Sequence, residues 1–284
     1  MLFMREVKVD IIIPTYKPGK ELGLLLSMLK KQTLLPNKVI IMNTVDGKEL
    51  SIDGAEVHNI DKESFDHGGT RNAGVSYSEA EYFVCMTQDA VPADEKLIET
   101  LISSIDDKVK IAYARQLARD DASEIEKITR EFNYPDESII KTRDDIADKG
   151  IKAFFASNVC CAYERETFDK LGGFIDETEF NEDMMYASKL IRNGYAIKYC
   201  SDAKVYHSHN YTLMEQYRRN KSVASSQVKH PEYFGDVKSE GEGIRLVTTT
   251  AKELLRRGKW YKVPELITVS GFKYLGYKAG RLKK

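Results

Sequence analysis

Long apolar runs are missing from this 284-residue chain, and no stretch approaches the roughly 20 residues that a membrane-spanning helix needs. The opening Met1-Leu2-Phe3-Met4-Arg5-Glu6 turns charged too soon for a secretory leader. Cysteine is scarce, and Cys85, Cys160, Cys161 and Cys200 lack metal-ligand spacing. They read as buried thiols of a reducing cytoplasm, so neither a zinc module nor a disulfide framework is expected. Internal repeats and low-complexity linkers are absent, which excludes a solenoid. Charge of one sign is also lacking, with a net of −1, and no nucleic-acid partner is expected.

What is present is an alternation of strands and helices. Val9–Ile13 reads as a buried strand ended by Pro14, and Val39–Met42, Ala55–Ile60, Tyr82–Met86 and Val109–Tyr113 as further strands. Between them, Lys20–Gln32 carries Leu22, Leu25, Leu26 and Leu29 at helical spacing, and Lys96–Ile105 is a second helix. This order predicts βαβ units and a mainly parallel sheet flanked by helices. Asp120–Lys149 is polar and suggests short helices and a mobile loop. Phe154–Tyr163 is strand-like. Asn181 is expected to cap a helix over Glu182–Asn193, stopped by Gly194. Lys198–Cys200 and Lys204–Tyr206 read as short strands around Asp202, and the chain beyond His209 reads as helical.

The stretch Phe65-Asp66-His67-Gly68-Gly69-Thr70-Arg71-Asn72-Ala73-Gly74 precedes a helix expected from about Thr70 to Ser78. Glycines, free N–H groups and an arginine in that order suit a phosphate-facing loop, although a plain turn would use the same residues. Open α/β sheets bind ligands at the carboxyl ends of their strands. Pro14-Thr15-Tyr16-Lys17, Asn43-Thr44, Asp89 and the loop around Asp66–Asn72 all fall there.

Taken in order, Ile12-Ile13-Pro14-Thr15-Tyr16, Arg71-Asn72-Ala73-Gly74, Thr87-Gln88-Asp89-Ala90, Leu171-Gly172-Gly173-Phe174, Glu182-Asp183 and His207-Ser208-His209 resemble a family 2 glycosyltransferase of GT-A fold, over about residues 8–215. The Phe65–Asn72 string resembles the bacterial rhamnosyltransferase branch. The resemblance implies a GT-A domain over 1–215 and a helical, basic extension over 216–284. It places Pro14, Thr15, Tyr16, Asn43, Arg71, Gln88 and Asp89 around the nucleotide sugar donor, and Gly173 and Glu182 towards the acceptor. It makes Asp89 a ligand of Mg²⁺ or Mn²⁺, helped by His207, and Asp183 the catalytic base. His209 alternates with His207 at a strand end, so only one of the two is expected to face the site. Asp183 falls in the first turn of its helix, where the dipole favours the ionised form.

Two positions depart from the family pattern. Thr87 stands where the first acid of the DxD motif is usual, and Asn43 where an acid often reads the base. One carboxylate weakens a metal site but does not abolish one, because substrate phosphates supply further oxygens. The implied activity is inverting transfer of L-rhamnose from dTDP-β-L-rhamnose to a glycan or lipid-linked oligosaccharide acceptor. The other readings are a sugar-phosphate nucleotidyltransferase, which lacks its glycine-rich signature after the first strand here, and a non-catalytic sugar-binding relative.

Lys252–Lys284 holds ten Lys and Arg against Glu253 and Glu265, interleaved with Trp260, Tyr261, Phe272, Tyr274 and Tyr277. This suits peripheral contact with an anionic membrane at the inner face of the plasma membrane, or a packed extension with a solvated basic face. The site itself is expected to lie wholly between Pro14 and His209.

Overall fold

The computed structural model describes residues 7–47, 49–237 and 241–282. The opening Met1–Glu6 and the last two lysines of the basic tail lie outside the described residues. In chain order the strands and helices are β1 (Val9–Tyr16), α1 (Lys20–Leu29), β2 (Lys38–Thr44), β3 (Glu56–Ile60), α2 (His67–Ser76), β4 (Tyr82–Met86), β5 (Val91–Pro92), α3 (Leu97–Ile102), β6 (Val109–Leu117) and α4 (Glu124–Asn133). They continue as β7 (Ile139–Lys141), α5 (Asp145–Lys149), β8 (Cys160–Glu164), α6 (Arg165–Lys170), α7 (Glu182–Arg192), β9 (Ala196–Tyr206), α8 (Leu213–Lys229), α9 (Pro231–Phe234), α10 (Glu242–Arg256) and α11 (Val263–Arg281).

The described strands form one sheet in the order β3-β2-β1-β4-β8-β6-β9-β5, with β7 paired to β9. β3, β2, β1, β4, β6 and β9 point the same way, and β8 runs against β4 and β6. The sheet is therefore mainly parallel, as the alternation implied. Ile11, Ile12 and Ile13 are fully buried, as expected for a strand covered on both faces. All four cysteines are free and buried in the same core.

Several elements differ from the sequence reading. β1 runs through Pro14 to Tyr16, because β4 pairs only as far as Ile12 and a missing N–H is tolerated beyond that point. α2 begins at His67, not Thr70, because Asp66 caps it by accepting from the Gly69 N–H at 2.7 Å. Gly68 and Gly69 are thus helical. A Cβ on Gly68 would overlap the Ile175 carbonyl oxygen, and one on Gly69 would overlap the Asp66 carboxylate. Close packing against protein, not a phosphate loop, accounts for the pair.

Residues 198–206 form one strand rather than two, with Asp202 in an irregularity where the β6 register jumps from Cys200 to Lys204. The apolar run from Phe154 splits into a tight turn ending at Phe154, a loop, and β8 from Cys160. The polar 120–149 segment supplies α4, α5 and an edge strand, β7. Asn181 does not cap α7. Its backbone is left-handed at φ 70°, and its amide donates to the Val223 carbonyl at 3.1 Å.

The C-terminal helices pack on the body. α11 lies against α8 so closely that a Cβ on Gly276 or Gly280 would overlap the carbonyls of Tyr217 or Lys221. Leu254 and Leu266 bury against Ile125 and Ile128 of α4. Lys259 pairs with Glu124 at 2.7 Å and Arg257 with Glu131 at 2.6 Å. In the same helices and the turn between them, Trp260, Tyr261, Ile267, Tyr274 and Leu275 are exposed, as are Lys252, Arg256, Lys278 and Arg281. No helix among the described residues is long and apolar enough to cross a membrane.

Candidate active site

β1, β2, β4, β6 and β9 all end at one edge of the sheet, and the chain following each end supplies polar groups there. A cavity of about 440 Å³ opens at the β4, β6 and β9 ends, a size suited to a small-molecule ligand. Its walls include Thr87 and Asp89 after β4, Gln116 of β6, Ser157 and Asn158 before β8, Glu182 and Asp183 of α7, and His207 and His209 after β9.

Asp89, His207 and His209 converge. Asp89 Oδ2 lies 3.6 Å from His207 Nε2 and 3.4 Å from His209 Nε2, and the two Nε2 atoms are 3.0 Å apart. Both histidines reach the site, against the expectation of one. β9 ends at Tyr206, so strand alternation no longer governs them. The His207 N–H binds the Leu117 carbonyl at 2.9 Å, and Asn210 accepts from the Ser123 N–H at 3.0 Å. Thr212 and Glu215 then form a capping box that starts α8.

Arg130 and His207 Nδ1 both meet Gln116 Oε1, the latter at 3.0 Å. Because Oε1 is an acceptor, Nδ1 carries the proton and the Nε2 lone pair faces the cluster. Burial pushes the His207 pKa well down, and burial also lowers that of His209 against the pull of Asp89. Neutral imidazoles are the ligand form. Mutually adjacent donors about 3 Å apart suit cis positions around a small divalent ion with bonds near 2.1 Å. The three residues therefore fit a metal. The Thr87 hydroxyl, at the first DxD position, is buried on the cavity wall and has no hydrogen-bond partner among the described residues.

The acidic pair of α7 splits into two roles. Glu182 is buried and ion-paired to Arg71 at 3.0 Å, while its Oε1 also accepts from the Asn158 amide at 3.0 Å. Burial alone would raise its pKa, but Arg71 and His67 hold the carboxyl below its ordinary range. Asp183 faces the cavity, with Oδ2 accepting from the Asn158 N–H at 3.0 Å and Oδ1 from the Met184 N–H at 2.8 Å. Burial, then the charge of Glu182, pushes its pKa up to about 7. The expectation that the helix dipole would dominate is thereby reversed, because desolvation and a like charge outweigh it.

The residues read as donor-binding fall into two places. Thr15 donates to Asn43 Oδ1 at 3.0 Å, and Asn43 donates to Asn59 at 2.8 Å, so Asn43 belongs to a buried polar ladder. Gln88 bridges to the Tyr16 backbone in both directions, at 2.9 and 3.1 Å. The Tyr16 ring is exposed beside the ammonium groups of Lys17 and Lys62. Pro14, Thr15, Tyr16, Asn43 and Gln88 flank the cavity at the β1–β2–β4 ends without lining it. Arg71 lines it but is 4% exposed, and it donates to the His67 carbonyl at 2.9 Å as well as pairing with Glu182. Gly173 is packed against Asn72 and Phe168 outside the cavity wall.

The family model described as glycosyl transferase family 2 matches residues 10–172. The chain is a family 2 glycosyltransferase. It is 36% identical over 283 residues to the O-antigen chain rhamnosyltransferase RfbN of Salmonella typhimurium, covering 97% of this chain and 90% of that one. It is 35% identical over 279 residues to the O-antigen chain rhamnosyltransferase WbaN of Salmonella anatum, covering 95% and 88%. Among solved structures, it superposes on a Pyrobaculum calidifontis mannosyltransferase in complex with GDP-Man and Mn²⁺ with a TM-score of 0.65. That match has 14% identity and covers 99% of this chain and 89% of that one. S. aureus TarS 1-349 in complex with UDP-GlcNAc matches with a TM-score of 0.54 and 14% identity, covering 97% and 90%. These likenesses place the fold among the GT-A glycosyltransferases.

The candidate cavity is not confined between Pro14 and His209. Arg219, Val223 and Gln227 of α8 line the cavity with Phe180 and Tyr211. The Arg219 guanidinium lies 5.2 Å from the Phe180 ring and 5.8 Å from Tyr211, whose ring stacks on His209. Sequence reading had no handle on α8, because its contribution depends on how the C-terminal helices fold back. Asn158 was also missed. It belongs to no run of chemistry-bearing residues.

Proposed function

We propose that this glycosyltransferase moves L-rhamnose from dTDP-β-L-rhamnose to a hydroxyl of a lipid-linked glycan, with inversion, during synthesis of a bacterial surface polysaccharide. The sugar and the pathway rest on the two relatives named as O-antigen chain rhamnosyltransferases, each similar over nearly the whole chain. The chemistry rests on one observation. A single cavity holds a carboxylate with a raised pKa, Asp183, and the Asp89–His207–His209 cluster.

Asp183 takes the proton of the acceptor hydroxyl as its oxygen bonds to the anomeric carbon. The bond from that carbon to the diphosphate oxygen breaks, and nucleoside diphosphate leaves. Asp89, His207 and His209 would hold the metal, which supplies positive charge for the departing diphosphate. Two imidazole donors favour Mn²⁺ over Mg²⁺, which prefers an all-oxygen shell. Arg219 and the unpartnered Thr87 hydroxyl are assigned to the diphosphate, Tyr16 to the nucleobase, and Thr15, Asn43 and Gln88 to the frame that holds Tyr16. Glu182 and Arg71 act as a buried pair that fixes α7, not as direct substrate contacts.

The exposed face of α10 and α11 is assigned to peripheral contact with the anionic inner face of the plasma membrane. Its aromatic and aliphatic side chains stand among lysines and arginines, which brings a lipid-linked acceptor to the enzyme.

A panel of nucleotide sugars offered to the purified enzyme with a lipid-linked acceptor tests this reading. We expect acceptor-dependent release of free dTDP from dTDP-rhamnose, and an α-linked product by NMR. Preference for another nucleotide sugar overturns the donor, and a β-linked product overturns inversion.

A further inference from the structure

Asn158 sits where the loop before β8 meets the first turn of α7, and its backbone N–H and both ends of its side-chain amide are engaged. Its backbone N–H donates to Asp183 Oδ2 at 3.0 Å. Its side-chain amide donates to Glu182 Oε1 at 3.0 Å. Its Oδ1 accepts from the hydroxyl of Tyr163, a fully buried ring, at 2.7 Å. Glu182 Oε1 is in turn 3.0 Å from Arg71. One residue therefore ties the two neighbouring carboxylates to β8, Asp183 through its backbone N–H and Glu182 through its side chain, and the chain of bonds continues through Arg71 to α2.

Two adjacent acids in a helix's first turn have no intrinsic reason to behave differently. Here the asymmetry comes from their partners. Glu182 turns inward to a guanidinium and an amide. Asp183 receives only backbone N–H donors, from Asn158 and Met184, and keeps its remaining lone pairs towards the cavity. The Tyr163 hydroxyl fixes the Asn158 amide with oxygen towards Tyr163 and nitrogen towards Glu182. A flipped or displaced Asn158 would put an acceptor against Glu182 and loosen the N–H bond to Asp183. Buried networks of this kind hold a unique arrangement only while fully satisfied.

We propose that Asn158, locked by Tyr163, is the positioning residue that aims the Asp183 carboxylate at the acceptor hydroxyl and confines Glu182 to its buried pair. The inference deepens the reading of Asp183 as base and rests on it. The same loop brings Phe155, Ala156 and Ser157 to the cavity wall, so an acceptor seated there presses on the segment that aims the base.

The test uses the full chain with Tyr163→Phe, which removes one hydroxyl from a ring that otherwise keeps its packing, and with Asn158→Asp, which keeps the shape but adds a third acid. For Tyr163→Phe we expect kcat to fall roughly tenfold with the donor KM unchanged, as loss of orientation without loss of binding requires. The acid limb of its pH–rate profile should move to higher pH, because the Asn158 N–H bond favours the ionised Asp183. Asn158→Asp should move the limb further in the same direction. In an Asp183→Asn background, Tyr163→Phe should cost little more. Equal proportional loss with and without Asp183, or an unmoved acid limb, overturns the proposal. A carbon-13 titration of the Asp183 carboxyl in wild type and Tyr163→Phe separates this failure from that of the transferase reading. If the titration midpoint moves but no donor is turned over, the positioning role stands and the proposed reaction falls. An unmoved midpoint sinks the positioning role whatever the activity.

Discussion

The two ends of the sheet's carboxyl edge are built on opposite terms. At the β1–β2 end, most polar groups satisfy one another: Thr15 bonds Asn43, Asn43 bonds Asn59, and Gln88 bonds Tyr16 twice, with the buried Thr44 hydroxyl left over. Around the β4, β6 and β9 ends, ionisable groups crowd without completion. Two neutral imidazoles face one carboxylate, and Asp183 is held far above an ordinary acid. The first end is a frame of neutral groups bonded mainly to one another. The other stores frustration that substrate and metal would relieve, which is where pKa values are expected to be displaced.

The largest effect expected from breaking this contrast is at Asp183. Asp183→Asn keeps the shape and removes the base, so kcat should fall by roughly 10²–10⁴-fold with donor binding nearly unchanged. Steady-state kinetics with isothermal titration of the donor checks both halves. The sign of the pH dependence follows from the raised pKa. The base must be ionised, so wild-type kcat should rise as pH passes through about 7 and be lost below it. The residual activity of Asp183→Asn should lack that limb. Near-normal turnover in the variant would remove Asp183 from the mechanism.

Next in size is the metal cluster. Excess chelator should silence the enzyme, and Mn²⁺ should restore it better than Mg²⁺. Asp89→Ala should weaken metal and donor binding together, by a coupling of roughly 5–150-fold. Full activity in chelator would leave basic groups such as Arg219 as the only stabilisers of the leaving group.

The smallest effect belongs to the β1–β2 end. Gln88→Ala removes two hydrogen bonds to a solvent-accessible backbone, so its cost should be only about 0.5–1.5 kcal/mol per bond in a denaturant melt. The donor KM should rise a few-fold with kcat unaffected. A collapse of kcat in this variant would show that the two ends are coupled and that the contrast is false.

The mainly parallel sheet and the gathering of Asp89, Asp183 and His207 at one cavity were legible because they are carried by short local patterns: β-branched runs, a polar break after a strand, and an acidic pair opening a helix. What escaped was set by contacts between distant segments. Gly68 and Gly69 looked like a phosphate loop, yet Gly68 is glycine because the Ile175 backbone lies against it, more than a hundred residues away. Arg71 looked like an anion ligand, but the anion it meets is Glu182 of its own chain. His209 was set aside on strand alternation, a rule that lapsed one residue after β9 ended. Arg219 enters the cavity only because α8 runs beside it. Composition described the tail as basic and aromatic but gave no hint that Gly276 and Gly280 seat it on α8, the helix that carries Arg219.

That tail contains the chain's one tryptophan. Trp260 is 69% exposed on the face assigned to the lipid surface, between α10 and α11 and away from the cavity. The enzyme thus carries its only indole fluorophore on that face. Its emission should shift to the blue when anionic vesicles cover the face and stay unchanged when only nucleotide sugar binds, so docking and catalysis can be followed separately in the unlabelled protein.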